Sequence, residues 1–279
     1  MPTTEKWLFD GWELTNKVAL GWAHRDGTNE ASAFVGNNTP VPSRAGEMWR
    51  PKVQGPGRFV LDIWLKGATQ AEVHANWRLI LRAMRRRHRL VLVDRYMPDG
   101  ERIQCNAEVL GTIAPQHLSQ AVWRASVTFN IPDGVWRSAN SYVAECAKGT
   151  AATVPFPRQV MMPDWEPQTE ANDELKLTLM GPGTTWYVND YTDGSTATWV
   201  RYNGTIPAGC ALVLDCKTWT VSYTGSWTPD LGAIVYIGPR YLSVPHARVG
   251  STPRLYVDIA SGVTSATFLR VEGPRTYAC

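Results

Sequence analysis

Apolar and polar residues alternate along several segments of the first half of the chain, which is the pattern of half-buried β-strands. In residues 58–65 the apolar positions share one face, and residues 123–131 alternate without a break. Residues 89–95 are more uniformly apolar, and they are followed by the turn Pro98-Asp99-Gly100 and a second strand-like run at 102–109. These segments predict a β-sheet that contains a hairpin.

One segment has helical periodicity instead. Thr69 and Glu72 have the spacing of a capping box, in which each satisfies a free backbone N–H at the helix start. An apolar stripe follows at helical spacing, formed by Val73, Trp77, Ile80, Leu81 and Met84. We therefore predict a helix over residues 70–88.

The end of this helix is strongly basic. Its cations are Arg82, Arg85, Arg86, Arg87, His88 and Arg89. Such a cluster either binds phosphate or an acidic partner, or it is a solvated helix end that complements the negative end of the helix dipole. The second interpretation is favoured.

The strand pattern lapses between residues 139 and 174, where prolines alternate with an acidic stretch. This predicts a linker at 141–174 between two domains, 1–140 and 175–279. The second half returns to short strands separated by glycine and proline turns, which is typical of a β-sandwich or jelly roll.

Composition narrows the class of protein. The chain is 44% hydrophobic and 19% charged with a net charge of +3, so it suits a folded protein and does not make nucleic acid the default partner. No apolar run is long enough to cross a membrane, and the N-terminus lacks the pattern of a signal peptide. We expect synthesis in a cytoplasm, no membrane insertion, and five cysteines that are reduced.

Candidate catalytic chemistry is sparse. The five histidines are scattered, and no nucleophile elbow, phosphate-binding loop or dinucleotide fingerprint is present. Asp190 and Asp193 precede Gly194 and are typical of a turn. We therefore expect no enzyme activity, no catalytic residues, no cofactor and no metal.

The tryptophans allow two interpretations. Of the 13 in the chain, Trp186, Trp199, Trp219 and Trp227 lie in the second half, where they either stack on sugar rings or fill the core and subunit contacts. The candidate glycan or partner contacts are Trp186, Trp199 and Trp227.

The order of these elements resembles siphophage distal tail proteins, particularly those of phages that infect actinobacteria. The resemblance covers Trp12-Glu13, the strand ending at Gly67, the capped helix, and the strand that closes in residues 129–136. In the second half it rests on residues 206–215 with Trp219-Thr220-Val221, and on residues 241–245. It departs from the family at residues 245–250, which lack the Gly-x-Asn that often follows this segment.

The resemblance implies a mainly β fold of two domains. The first is an N-terminal β-sandwich or tail-tube-like, ring-forming domain with one helix, and the second is a C-terminal galectin-like or jelly-roll β-sandwich. The implied role is a structural virion protein at the tail tip or baseplate hub. It forms a homohexameric ring between tail tube and tip and anchors host-recognition proteins.

The implied partners are other copies of the chain, the tail tube protein, the tape measure protein and tail-tip or receptor-binding proteins, with a host surface glycan as a further candidate. DNA passes through the lumen without specific binding. The candidate residues for the ring interface or lumen are Arg124, Ser126, Thr128 and Asn130. The alternative function is a carbohydrate-binding module that recognises host cell-surface glycans.

Overall fold

The computed structural model describes residues 6–14, 22–25, 34–35, 39–40, 47–48, 53–85, 88–97, 99–146, 158–168, 172, 174–191, 198–237, 242 and 252–278. The chain divides into two compact units, Met1–Ala139 with Tyr277–Cys279, and Asn140–Thr276. The described strands pair antiparallel in both, and the predicted mainly β fold is confirmed.

Among its described residues, the first unit contains one long helix, and most of its strands precede that helix in the chain. Its elements are β1 (Lys6–Phe9), β2 (Trp12–Glu13), β3 (Trp22–Arg25), β4 (Phe34–Val35), β5 (Thr39–Pro40), β6 (Glu47–Met48), β7 (Val53–Gln54), β8 (Gly57–Lys66), α1 (Gln70–Met84), β9 (Val91–Tyr96), β10 (Arg102–Leu110), β11 (Gln116–His117), β12 (Val122–Ile131) and β13 (Val135–Ser138).

A ten-stranded sheet forms the body of the first unit. Seven of its strands follow the order β2-β1-β9-β10-β12-β8-β3; in addition, β11 pairs with β12, β13 with β10, and the C-terminal strand Thr276–Ala278 with β13. The strand β10 pairs with β9 along residues 102–107 and with β12 along residues 108–110. If the sheet were flat, β1 and β8 would lie four strand spacings, about 19 Å, apart. Yet the rings of Trp7 on β1 and Phe59 on β8 stack with centroids 5.5 Å apart. The sheet therefore folds over at β10 and encloses a core between its own halves.

The helix α1 contributes its apolar stripe to this core. Thr69 accepts a hydrogen bond from the Glu72 backbone N–H, and the Glu72 carboxylate accepts one from the Ala68 N–H, so the predicted capping box is confirmed. Val73, Trp77, Ile80 and Met84 are buried against the sheet.

The helix ends at Met84, four residues before the predicted end at 88. Arg85 already has extended backbone angles, φ −94° and ψ 104°. The apolar stripe stops at Met84, and the next position on that face, His88, is exposed. Because no further apolar burial offsets the entropy of ordering another turn, the helix stops where its stripe stops.

The second unit contains two five-stranded sheets. Its elements are β14 (Tyr142–Glu145), β15 (Arg158–Met161), a 3-10 helix (Pro163–Trp165), β16 (Lys176–Met180), β17 (Gly183–Asp190), β18 (Trp199–Ile206), β19 (Ala211–Asp215), β20 (Thr220–Thr224), a 3-10 helix (Leu231–Ala233), β21 (Ile234–Ile237), β22 (Arg254–Ser261) and β23 (Phe268–Gly273), and the chain then forms β24 (Thr276–Ala278).

The strand orders of these sheets are β14-β23-β16-β19-β20 and β15-β22-β17-β18-β21. Inward-facing side chains of both sheets meet in one apolar core, with Trp186, Leu177 and Val257 among its fully buried members. Two antiparallel sheets packed over a shared core form a β-sandwich. Cys105 in the first unit and Cys146, Cys210 and Cys216 in the second are buried, and burial raises the pKa of the Cys146 thiol.

The predicted linker at 141–174 requires correction. Residues 142–145 form β14 and residues 158–161 form β15, and each is the first strand in the order of one sheet of the second unit. The alternation was hard to recognise because each strand has only four residues. The last three residues of the chain, predicted within the second domain, belong to the first unit, where the Tyr277 hydroxyl donates to the Glu101 carboxylate at 2.8 Å.

Trp77→Ala is expected to destabilise the first unit by about 3–5 kcal/mol, because a buried Trp leaves a cavity that the core fills only in part. Trp77 is 9% exposed, whereas Leu79 on the same helix is 43% exposed. Leu79→Ala is the control and should change stability by less than about 1 kcal/mol. Chemical denaturation followed by circular dichroism measures both. Equal effects of the two substitutions would contradict the assigned helix face.

Candidate functional site

A polar face runs along the paired strands β8 and β12 of the first unit. Their register sets Asp62 opposite Ser126, Trp64 opposite Arg124, and Arg58 opposite Asn130. Side chains alternate along a strand, so these residues lie on the face opposite Phe59, Val127 and the rest of the core. We call Asp62, Arg124, Ser126, Thr128 and Asn130 the polar ladder.

Asp62 is the centre of the polar ladder. It is 5% exposed, and its carboxylate accepts hydrogen bonds from the Ser126 hydroxyl and the Arg124 guanidinium. The Arg124 guanidinium also lies 5.5 Å from the centre of the Trp64 ring, within cation–π range. A carboxylate this buried needs a charged partner, since an unpaired buried charge is strongly unfavourable. In this pair, Asp62 and Arg124 neutralise each other's charge.

The structure brings together all four candidate ring or lumen residues. Arg124 and Ser126 share Asp62, Thr128 follows on the same strand face, and Asn130 donates to the Glu108 carboxylate at 3.0 Å. The backbone of β12 is used within the unit, because it pairs with β8 along residues 122–131 and with β10 and β11 on its other side. This strand offers a neighbouring molecule a face and no free edge.

The described residues of the basic cluster at the end of α1 do not belong to the polar ladder. Arg89 forms an ion pair of 2.9 Å with Asp10, whose carboxylate also accepts from the Leu92 backbone N–H. Arg85 is exposed at the helix end. Arg86 and Arg87 lie outside the described residues. Since α1 packs on the core side of the sheet, these cations are not part of the polar ladder.

The glycan candidates separate into three environments. Trp186 is fully buried in the sandwich core, and its indole N–H bonds to the Gly183 carbonyl, so its assignment as a glycan contact is wrong. Trp199 is half-buried beside Tyr187. Trp227 is half-buried between Tyr202 and Tyr223.

The described residues form neither a metal site nor a membrane-spanning helix. Among them, no group of three or more His, Cys, Asp or Glu side chains is placed to hold a metal ion. No helix in the described part of the chain has the length and apolar character needed to cross a membrane.

Comparison with known proteins gives a structural likeness. No family model and no curated protein sequence matches the chain. The crystal structure of the phage SPP1 Dit (gp 19.1) protein, a hub of the adsorption apparatus in phages that infect Gram-positive bacteria, matches with a TM-score of 0.64 at 8% identity. The match covers 98% of this chain and 99% of that one.

The chain shares the fold of the SPP1 Dit protein. The mainly β fold that the resemblance to distal tail proteins implies is thereby confirmed. Two structures of the phage P2 baseplate in its activated conformation, with Ca and with Sr, match more weakly at 10% identity, with TM-scores of 0.40 and 0.38. Each covers 97% of this chain and 98% of the other.

Sequence reasoning missed two features. The alternation of residues 58–65 does not single out Asp62, although the register of the paired strand places it opposite Ser126. Trp219 is one of the four tryptophans that the sequence offers for stacking on sugar, but it is not among the three candidate contacts, and it is 45% exposed. A signal for it was present, because Thr or Ser occupies every second position from 218 to 228 and makes 219–227 the opposite strand face.

Asp62→Ala is expected to reduce the free energy of unfolding by about 1–3 kcal/mol, because it leaves the donors of Arg124 and Ser126 without their acceptor. Asp133→Ala is the matched control: its carboxylate pairs with Arg137 at 2.7 Å but is 44% exposed, and it should cost less than about 1 kcal/mol. A double-mutant cycle with Arg124→Ala measures the coupling directly. Additive effects at positions 62 and 124 would show that the pair contributes nothing.

Proposed function

We propose that the chain is a structural subunit of a long-tailed phage virion, the distal tail protein at the tail tip or baseplate hub. The observation that carries this proposal is the shared fold with the SPP1 Dit protein over 98% of the chain. Fold alone does not determine function, so the proposal also needs a surface suited to the role.

The polar ladder supplies such a surface. A ring subunit needs one wet face toward the lumen, and DNA has to pass there without being held. Lumenal arginines with no partner would bind phosphate through counterion release. In the polar ladder, Arg124 is neutralised by Asp62, and Asn130 is bonded to Glu108. This charge balance favours placing Arg124, Ser126, Thr128 and Asn130 at the lumen.

The quaternary arrangement follows from the same proposal. Identical subunits close into a homohexameric ring through a heterologous contact, in which two different faces of each subunit meet. Because β12 pairs with β8 on one side and with β10 and β11 on the other, strand addition between neighbours would use an edge strand, such as β2, β3 or β24. The first unit is then the ring-forming domain.

The remaining partners belong to the proposal as well. The ring joins the tail tube to the tip, with the tape measure protein inside the tail and receptor-binding proteins anchored on the second, galectin-like unit. The protein would act through its surfaces and not through catalysis. It would reside in the virion after synthesis in the host cytoplasm, and an actinobacterial host is proposed from the sequence resemblance.

Ring formation is tested by measuring the mass of the purified chain at micromolar concentration, together with negative-stain images. A closed ring of identical subunits is expected, alone or after addition of the tail tube protein. The polar ladder should line the lumen in a reconstruction of that ring. A lumen lined by Arg85 and Arg89 would falsify the assignment of the polar ladder.

The lumen is tested independently by adding charge. Thr128→Arg places one new cation per subunit on the polar ladder and should raise the affinity of the ring for DNA by at least about tenfold at low salt, with a steeper salt dependence. Thr224→Arg, at an exposed position of the second unit, is the charge-matched control and should have a smaller effect. Equal DNA affinity of the two variants would argue against a lumenal position for Thr128.

A further inference from the structure

The last strands in the two sheet orders of the second unit carry a group of aromatic side chains. The strand β20 ends one sheet and β21 ends the other. Trp219, in the turn immediately before β20, meets Tyr236 of β21 with ring centroids 6.0 Å apart, and Tyr223 meets Trp227 at 6.2 Å. Both contacts are edge-to-face. We call Trp219, Tyr223, Trp227 and Tyr236 the aromatic edge.

These rings are unusually accessible for their size. Trp219 is 45% exposed, Tyr223 46% and Tyr236 39%. Each therefore leaves much of its apolar surface in contact with water, which costs free energy that burial elsewhere would recover. Exposed large aromatic groups that cluster in this way mark binding surfaces.

Backbone strain at Trp219 strengthens this interpretation. Its φ is +57°, in the left-handed region that favours glycine and asparagine. A tryptophan there costs roughly 1–3 kcal/mol relative to an unstrained backbone, and its exposure means that core packing does not repay this cost. Stability alone would favour a small residue at this turn, so the indole ring has another use.

The neighbouring contacts hold the aromatic edge in place. The Thr218 backbone N–H donates to the Asp215 carboxylate at 2.9 Å and fixes the turn before Trp219. The indole N–H of Trp227 donates to the Thr224 carbonyl at 3.0 Å. Gly225 has φ +95°, and a Cβ there would lie 2.5 Å from the Cys210 sulfur, so the turn after β20 requires glycine. The rings are thus positioned before any ligand arrives.

The chemistry around the rings is neutral and rich in hydroxyl groups. Residues 218–237 contain one charged residue, Asp230, whose carboxylate accepts from the Gly232 N–H. Thr218, Thr220, Ser222 and Thr224 are exposed, and by strand alternation they occupy the face opposite Trp219 and Tyr223. The phenolic hydroxyls of Tyr223 and Tyr236 can both donate and accept hydrogen bonds, which matches the hydroxyl groups of a sugar. Rigid Tyr and Trp rings provide contact area at low entropic cost.

We propose that the aromatic edge binds a neutral oligosaccharide. The apolar faces of the sugar rings stack on Trp219 and Tyr236, while the hydroxyls of Tyr223 and Tyr236 exchange hydrogen bonds with sugar hydroxyls. A protein partner is less favoured, because protein hot spots are enriched in arginine as well as Trp and Tyr, and residues 218–237 contain no arginine. The proposal does not depend on the tail-tip role.

The test is calorimetric titration of the full chain with maltohexaose, cellohexaose, chitohexaose and a β-linked galactose hexasaccharide, and with a sulfated heparin fragment of similar size. Binding of at least one neutral sugar is expected, with a dissociation constant of about 1 mM or below. No binding to any neutral sugar, or tighter binding of the sulfated one, overturns the proposal.

Trp219→Asn separates binding from folding. Asn tolerates the left-handed backbone, so this variant should melt at or above the temperature of the unsubstituted chain while its sugar affinity falls at least about tenfold. Tyr236→Ala is a second variant with the same expected loss of binding. Met161→Asn on β15, which is 50% exposed, is the control and should bind normally. Unchanged sugar affinity of both edge variants overturns the proposal. The proposal is also overturned if the two edge variants lose binding to an isolated tail-tip protein but keep their sugar affinity, because the surface would then be a protein-docking site.

Discussion

The stacked pair of Phe59 and Phe129 is the contact on which the first unit depends. These residues face each other across β8 and β12, with ring centroids 4.7 Å apart and planes within 6°. Trp7 stacks on the first ring and Phe9 on the second. Aromatic contacts between distant strands hold the sheet closed over its own core, and this closure leaves the other face of β8 and β12 available for polar residues.

The two faces of β12 therefore have different roles, and the alternating sequence of this one strand specifies both. Every inward position is apolar and buried, from Trp123 to Ile131. From Arg124 to Asn130 the outward positions are polar, and the carboxylate of Asp62 neutralises the charge of Arg124. A single strand in the middle of a sheet thus joins the stability of the unit to the properties of its exposed surface.

Sequence patterns predicted what local rules determine. The strand faces, the capping box and the hairpin followed from periodicity and turn residues, because each depends on neighbours within a few positions. The environment of the tryptophans did not follow, since Trp186 and Trp219 both lie in strand-like segments. Which of them is buried depends on whether the strand is central or at the edge of a sheet, and strand order is a long-range property.

The return of the chain to the first unit at Tyr277 makes the second unit an insertion within the first. During synthesis the ribosome has to complete all of residues 140–276 before the hydroxyl that bonds Glu101 exists. The first unit thus begins to fold first and is finished last. Two peptide connections join the units, so one cut within residues 140–276 leaves the two segments of the first unit held together by noncovalent contacts, such as the hydrogen bond from Tyr277 to Glu101.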